Sequence, residues 1–177
     1  YREHLSSGDD VLDLMSSWVS HLPPKREFDR VVGHGMNEDE LSTNDWLTDY
    51  FVQDLNELQA LPLADEAFDA TLCAVSVQYL QRPERVFSEV GRVLRPGGVC
   101  IVSFSNRMFA QKAIRAWREA TGEDRLQLVE RYFDAAGTFG DVKTVSQSPI
   151  LSPARRFLGG ALDPFYAVWA QKIDSIQ

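Results

Sequence analysis

Side chains able to carry chemistry are few in this chain of 177 residues, and their spacing excludes several kinds of site at once. The three histidines, His4, His21 and His34, have no metal-ligand spacing to a Cys or carboxylate partner, so no metal centre is expected. The two cysteines, Cys73 and Cys100, cannot build a disulfide framework. Both sit in uncharged apolar runs and are expected as buried free thiols in neighbouring central strands. No G-x-S-x-G elbow offers a nucleophilic serine. The P-loop pattern is missing, and no G-x-G-x-x-G follows a strand. The aromatic residues do not interleave with Lys or Arg as a single-strand stacking platform would require. Two carboxylates keep better company, because Asp13 and Asp54 each lie at the end of a short apolar run.

Those runs define the elements that must position such residues. Short apolar stretches at residues 11–14, 29–33, 51–54, 68–77, 98–104, 142–145 and 165–171 read as strands. Their lack of polar alternation suits strands covered on both faces. Between them, Pro83 and Glu84 open a helix carrying Val86, Phe87, Val90, Val93 and Leu94 at helical spacing, and Arg95-Pro96-Gly97-Gly98 closes it. Ala110, Ile114 and Trp117 mark a second helix, and Leu126, Val129 and Phe133 a third, separated by Gly122. This alternation predicts right-handed βαβ units and an α/β fold, a doubly wound sheet with helices on both faces. Ligands in such folds lie beyond the carboxyl ends of the strands, at the topological switch point.

Composition narrows the partners. Eighteen Lys and Arg against 26 Asp and Glu give a formal charge of −8, which argues against a surface built for nucleic acid. No run approaches the roughly 18 apolar residues of a membrane helix, so no membrane partner is expected. Two free cysteines fit the cytoplasm or another reducing compartment, such as an organelle stroma. No linker splits the chain, so residues 1–177 read as one domain; it starts at Tyr1 without a signal-peptide pattern. Trp46, Trp117 and Trp169 are expected in the core or under helices, and Arg155-Arg156 as a small basic surface spot.

The stretch Leu61 to Phe104 carries a resemblance. LPLADEAFDATLCAVSVQYL, followed by RPERVFSEVGRVLRPGGVCIVSF, is similar to class I S-adenosylmethionine-dependent methyltransferases of the type 11 group. RVLRPGG is the most specific phrase, and DPFYAVWAQK resembles that family's closing strand, so the likeness covers residues 9–172. It implies a Rossmann-like, seven-stranded, mostly parallel sheet, with one antiparallel strand starting near Phe165 at one end. It also implies S-adenosylmethionine as cofactor, and the N-terminal lid helices common in relatives are not expected in this chain: either that lid is missing here or the helices between residues 108 and 136 supply one.

Carried over by position, the resemblance names a cofactor site. Asp13 ends the first strand, but Met15-Ser16-Ser17-Trp18 stands where the family has a glycine-rich turn. Glycine allows φ > 0 and close backbone approach there. Ser16 and Ser17 offer small hydroxyls for a carboxylate or a ribose, and Trp18 an apolar face that excludes water or packs under a helix. At the end of the second strand the family's ribose-binding acid is replaced by Gly35. Gly33 and Gly35 leave room for a ligand, and Met36 suits contact with adenine. Glu38 or Asp39 stands near enough to substitute, or Asn37 to Glu40 forms the solvated first turn of a helix. Asp54, Leu55 and Asn56 match the adenine-binding segment, unless Asp54 only caps its own turn. Ala74 and Val75 fall beside the methionine part. Gln78, Tyr79, Asn106 and Arg107 fall where an acceptor would enter.

Methyl transfer on this plan needs alignment rather than a metal. A general base helps a hydroxyl or carbon acceptor, and Tyr79, His21 and His34 are the titratable groups near the mouth. No catalytic residue is assigned. Two functions are compatible with the altered first turn. One is methyl transfer to a small-molecule acceptor. The other is a methyltransferase-like binding or scaffolding protein without catalysis.

Overall fold

The computed structural model describes residues 1–24, 27–147 and 163–173. Seven strands form one sheet: β1 (Asp10–Asp13), β2 (Arg30–Gly35), β3 (Asp49–Val52), β4 (Phe68–Ala74), β5 (Leu94–Phe104), β6 (Lys143–Gln147) and β7 (Phe165–Gln171). Their order is β3-β2-β1-β4-β5-β7-β6, and only β7 runs antiparallel to its neighbours. The α/β sheet follows the strand-helix alternation, and its one antiparallel strand is as the resemblance implied. β7 is not at the very end, however. Burial explains the correction: Ala167, Val168 and Ala170 of β7 are buried, whereas β6 is exposed at most positions and takes the edge.

Among the described residues four α-helices accompany the sheet: α1 (Glu38–Ser42), α2 (Pro83–Val93), α3 (Arg115–Glu119) and α4 (Gly122–Ala136). In α2 the proline sits at the N-terminus with Glu84 in the first turn, and Val86, Phe87, Val90 and Val93 are buried. Thr121 and Asp124 form a capping box at the start of α4, whose Leu126, Val129, Tyr132 and Phe133 face the same core. Helices are expected on both faces, and the structure has them there: α1 sets Leu41 against Gly35, on the same face of β2 as Val31. Among the described residues α2, α3 and α4 all pack into one core cluster. The opposite face buries Val11, Val31, Ala70, Leu72, Val99 and Ile101 under Leu5, Leu22, Phe28, Trp46 and Leu47, which lie outside the helices. Pro23-Pro24 in the β1–β2 connection explains part of this, since proline ends or prevents a helix.

The motif RVLRPGG performs a positioning task at the other end of the sheet. Helix α2 passes into β5 at Leu94 without a loop, so RPGG is not a helix cap but an irregular start to the strand. The register shifts there, from Phe68 opposite Leu94 to Ala70 opposite Val99. Gly97 has φ of 77°, and a Cβ on Gly98 would come within 2.8 Å of the Arg95 carbonyl. Arg95 bridges Asp10 of β1 and Asp69 of β4, at 2.7 and 2.5 Å. Arg92 binds the carbonyls of Leu61 and Leu63 together with Asp65 and Glu89. Both halves of the family-like stretch are thus held by the two arginines between them. Cys73 and Cys100 are buried free thiols on the adjacent strands β4 and β5, and burial raises the Cys73 thiol to about 12. Among the described residues no helix is long and apolar enough to cross a membrane. Arg155-Arg156 lies outside the described residues.

Arg92→Ala should destabilise the fold by about 2 kcal/mol, because it strips partners from two partly buried carbonyls and two carboxylates. Urea unfolding measures it, with the exposed Arg85→Ala expected within about 0.5 kcal/mol of the parent. Equal curves for both variants would refute the clamp.

Candidate functional site

The carboxyl ends of β1 to β4 open into a cleft of about 490 Å³, inside the range of small-ligand sites. It lies at the switch point, where β1 pairs with β2 on one side and β4 on the other. Two residues lining it, Met15 after β1 and Val75 after β4, hold φ of 57° and 55°. Non-glycine residues adopt that left-handed region only when their surroundings over-determine it, and such strain clusters at functional sites.

The surroundings of Met15 are explicit. Leu14 N–H donates to the Leu72 carbonyl at 2.8 Å, Met15 N–H to Nδ1 of His34 at 3.1 Å, and Ser16 N–H to the His34 carbonyl at 2.7 Å. Beneath the turn, Asp13 is 3% exposed and accepts hydroxyl hydrogen bonds from Ser16 and Ser20, both at 2.6 Å. Burial still pushes its carboxyl above the ordinary range, against the pull of those two donors. Asn44 closes the network by donating to the Ser17 carbonyl and the Ser20 hydroxyl at 2.9 and 3.1 Å. The serines therefore serve the protein first. The Ser17 hydroxyl donates to Oε2 of Glu40 at 2.5 Å.

Gly35 explains why no acid ends β2. A Cβ at that position would stand 2.8 Å from the Ser16 carbonyl oxygen, so the first turn lies directly against it. The carboxylate in the cleft comes instead from Glu40 on α1, which also accepts from the Asn37 amide at 3.1 Å. Asn37 caps α1 by accepting from the N–H groups of Asp39 and Glu40, so the charge run is a helix first turn. Neither Glu38 nor Asp39 lines the cleft; the third acid of the run does.

The cleft gathers Met15, Ser16, Ser17, Gly35, Met36, Asp54, Leu55, Asn56, Ala74 and Val75 from the cofactor set, and Tyr79 from the acceptor set. Asp54 accepts from Asn56 N–H at 2.8 Å, so it caps its own turn while facing the cleft. Three cofactor-set residues stand apart. Asp13 lies beneath the turn, Trp18 is 63% exposed with no helix between it and β2 among the described residues, and Gly33 lies back along β2 with its α-carbon against Leu47. On the acceptor side Gln78 is buried, its amide donating to the Val75 carbonyl at 2.8 Å with no partner on its oxygen. Asn106 is exposed off the cleft, and Arg107 pairs with Asp163. His21 is exposed outside the cleft, and His34 has both ring nitrogens on backbone groups, leaving Tyr79 as the accessible titratable group of those three. Glu40, Phe109 and Lys112 also line the cleft and carried no sequence signal, apart from the place of Glu40 in an acidic run.

Comparison with known proteins agrees with this geometry. Residues 30–102 match the family model described as "Methyltransferase domain". A malonyl-[acyl-carrier protein] O-methyltransferase of Methylococcus capsulatus is 37% identical over 68 residues, 38% of this chain and 25% of that protein. Its namesake from Hahella chejuensis is 27% identical over 71% of this chain and 46% of its own length. The match thus spans a quarter of one curated relative and under half of the other. An S-adenosylmethionine-dependent methyltransferase from Mesorhizobium loti superposes with a TM-score of 0.63 over 97% of this chain and 95% of its own, at 16% identity. That likeness concerns the fold.

Gly35→Asp, which writes an acid back at the end of β2, should cost about 1–3 kcal/mol because backbone must move to admit the side chain. Thermal unfolding checks this, and a variant as stable as the parent would show that the close approach to Ser16 is wrong.

Proposed function

We propose that this chain, whose residues 30–102 belong to the methyltransferase domain family and whose sheet is that of class I methyltransferases, binds S-adenosylmethionine in the cleft and methylates a small acceptor. The observation carrying the proposal is the meeting of Met15, Gly35, Glu40, Asp54 and Val75 around one cavity at the switch point. The residues suit the group. Glu40 and Asp54 are carboxylates able to accept from ribose hydroxyls and from an adenine amino group, and the backbone of Leu55 lies between Asp54 and Asn56 on the same wall. Tyr79 and Phe109 add aromatic faces, their centroids 6.5 Å apart, of a kind that favours a cation.

Bound there, the cofactor would supply an activated methyl on a sulfonium, and the chain's part is alignment and exclusion of water. The left-handed turns at Met15 and Val75 bring backbone to the cavity from both sides of the switch point. Phe109 N–H donates to the Tyr79 hydroxyl at 3.0 Å, which ties the segment after β5 to the acceptor side of the opening. Tyr79 is then the group suited to hold or move an acceptor proton. Lys112 stands at the same rim, its ammonium 5.7 Å from the Phe109 ring, and suits an acceptor bearing an anion. The names of the two curated relatives, malonyl-[acyl-carrier protein] O-methyltransferases, agree with an acidic acyl acceptor.

Titration calorimetry with S-adenosylhomocysteine tests the cofactor half. The parent chain should bind, and Glu40→Gln should weaken binding by about tenfold or more, the range of a lost charge-assisted hydrogen bond. No binding by the parent at millimolar ligand would overturn the proposal in favour of a fold kept for binding or scaffolding alone.

A further inference from the structure

The first turn needs a left-handed residue and has no glycine to supply one. Met15 takes that conformation with a full side chain, which persists only where the surroundings hold it. Its amide is held by His34, whose ring is 1% exposed and lies against Phe51 with centroids 5.0 Å apart. The opposite ring nitrogen, Nε2, meets the Gln53 carbonyl at 2.9 Å. A carbonyl only accepts and an amide N–H only donates, so one protonation state satisfies both contacts: neutral imidazole with its proton on Nε2. The His34 carbonyl takes the next amide, Ser16 N–H, so a single residue of β2 grips two consecutive amides of the turn while tied to the end of β3.

We infer that His34 is a positioning residue that does the work of the lost glycine, holding Met15 left-handed so that the turn can floor the cofactor cleft. The inference rests on the proposed binding of S-adenosylmethionine only in what the turn is for. It makes the turn sensitive to acid. Protonation would put a second donor against Met15 N–H, breaking the contact that holds the conformation. Burial lowers the imidazole pKa from its ordinary 6.5, while Asp54, on the loop after β3, favours the cation. Glu40 from α1 and Lys112 from the segment after β5 share the cleft wall, and Asp13 of β1 lies under the turn. The sign follows from the lowered value: the held turn is fully favoured above about pH 6.5 and loses that advantage as pH falls below it.

Nitrogen-15 NMR of the ligand-free protein reads the imidazole directly. The expected result is a neutral Nε2–H tautomer, with the Met15 amide resonance shifting at the same midpoint as His34. Calorimetry with S-adenosylhomocysteine supplies the second arm. His34→Phe should weaken binding about tenfold, Met15→Gly on that background should restore it, and His34→Asn, which keeps an acceptor at the Nδ1 position, should bind like the parent without the acid loss centred on His34. A proton on Nδ1 at neutral pH overturns the inference. So does failure of Met15→Gly to restore binding, or an unchanged acid loss in His34→Asn, which would assign that loss to Asp13. If the parent binds no ligand, the cofactor proposal falls, and the NMR arm still decides whether His34 holds the turn.

Discussion

The buried carboxylate of Asp13 is the constraint around which the first turn is built. A carboxylate 3% exposed must be hydrogen-bonded or neutral, and here the hydroxyls of Ser16 and Ser20 reach it from the following residues. Once those side chains point inward, the chain cannot leave β1 in an ordinary extended path. It turns at Met15, crosses over the end of β2 and places the Ser16 carbonyl against Gly35. Asn44, from the connection between α1 and β3, then fixes the far side of the turn. The shape of the cleft follows from this chain of requirements before any ligand is considered.

This also explains how two departures from the family pattern belong together. A glycine-rich turn and an acid at the end of the second strand make one solution, in which the turn is thin and the strand end carries the side chain. Here the turn is thick and the strand end is bare. The glycine stands on the strand side of the contact, and a carboxylate reaches the cleft from Glu40 on α1, five residues past Gly35. Either arrangement allows close approach of two backbones beside a pocket; mixing them would produce a clash or a hole.

How much of this was legible in the residues depends on the range of the interactions. Strand positions and the α2–β5 unit were legible because apolar runs and helical spacing are local signals, and within RVLRPGG Arg92 closes its contacts inside the same stretch. The sheet-end cavity followed from the order of the strands. Ser16 and Ser17 read as facing a ligand, because nothing local says that their hydroxyls turn to Asp13 and to Glu40. Glu40 was passed over for its neighbours because its role depends on the rotation of a short helix and on Ser17, 23 residues earlier. The size of Trp18 suggests a face that excludes water or packs under a helix. In the structure the turn it follows is pinned by Asn44, which leaves the indole outside.

The two ends of the sheet differ in how their charges are used, and the difference bears on function. At the amino ends, Arg95 and Arg30 neutralise Asp10 and Asp69, and Arg92 neutralises Glu89 and Asp65, so the acids there are spent on holding elements together. At the carboxyl ends Glu40 and Asp54 accept only from uncharged donors: a hydroxyl, a side-chain amide and a backbone N–H. A carboxylate has more lone pairs than these donors use, so both keep capacity for a ligand. Glu40 and Asp54 stand in the cleft where the strand order places one.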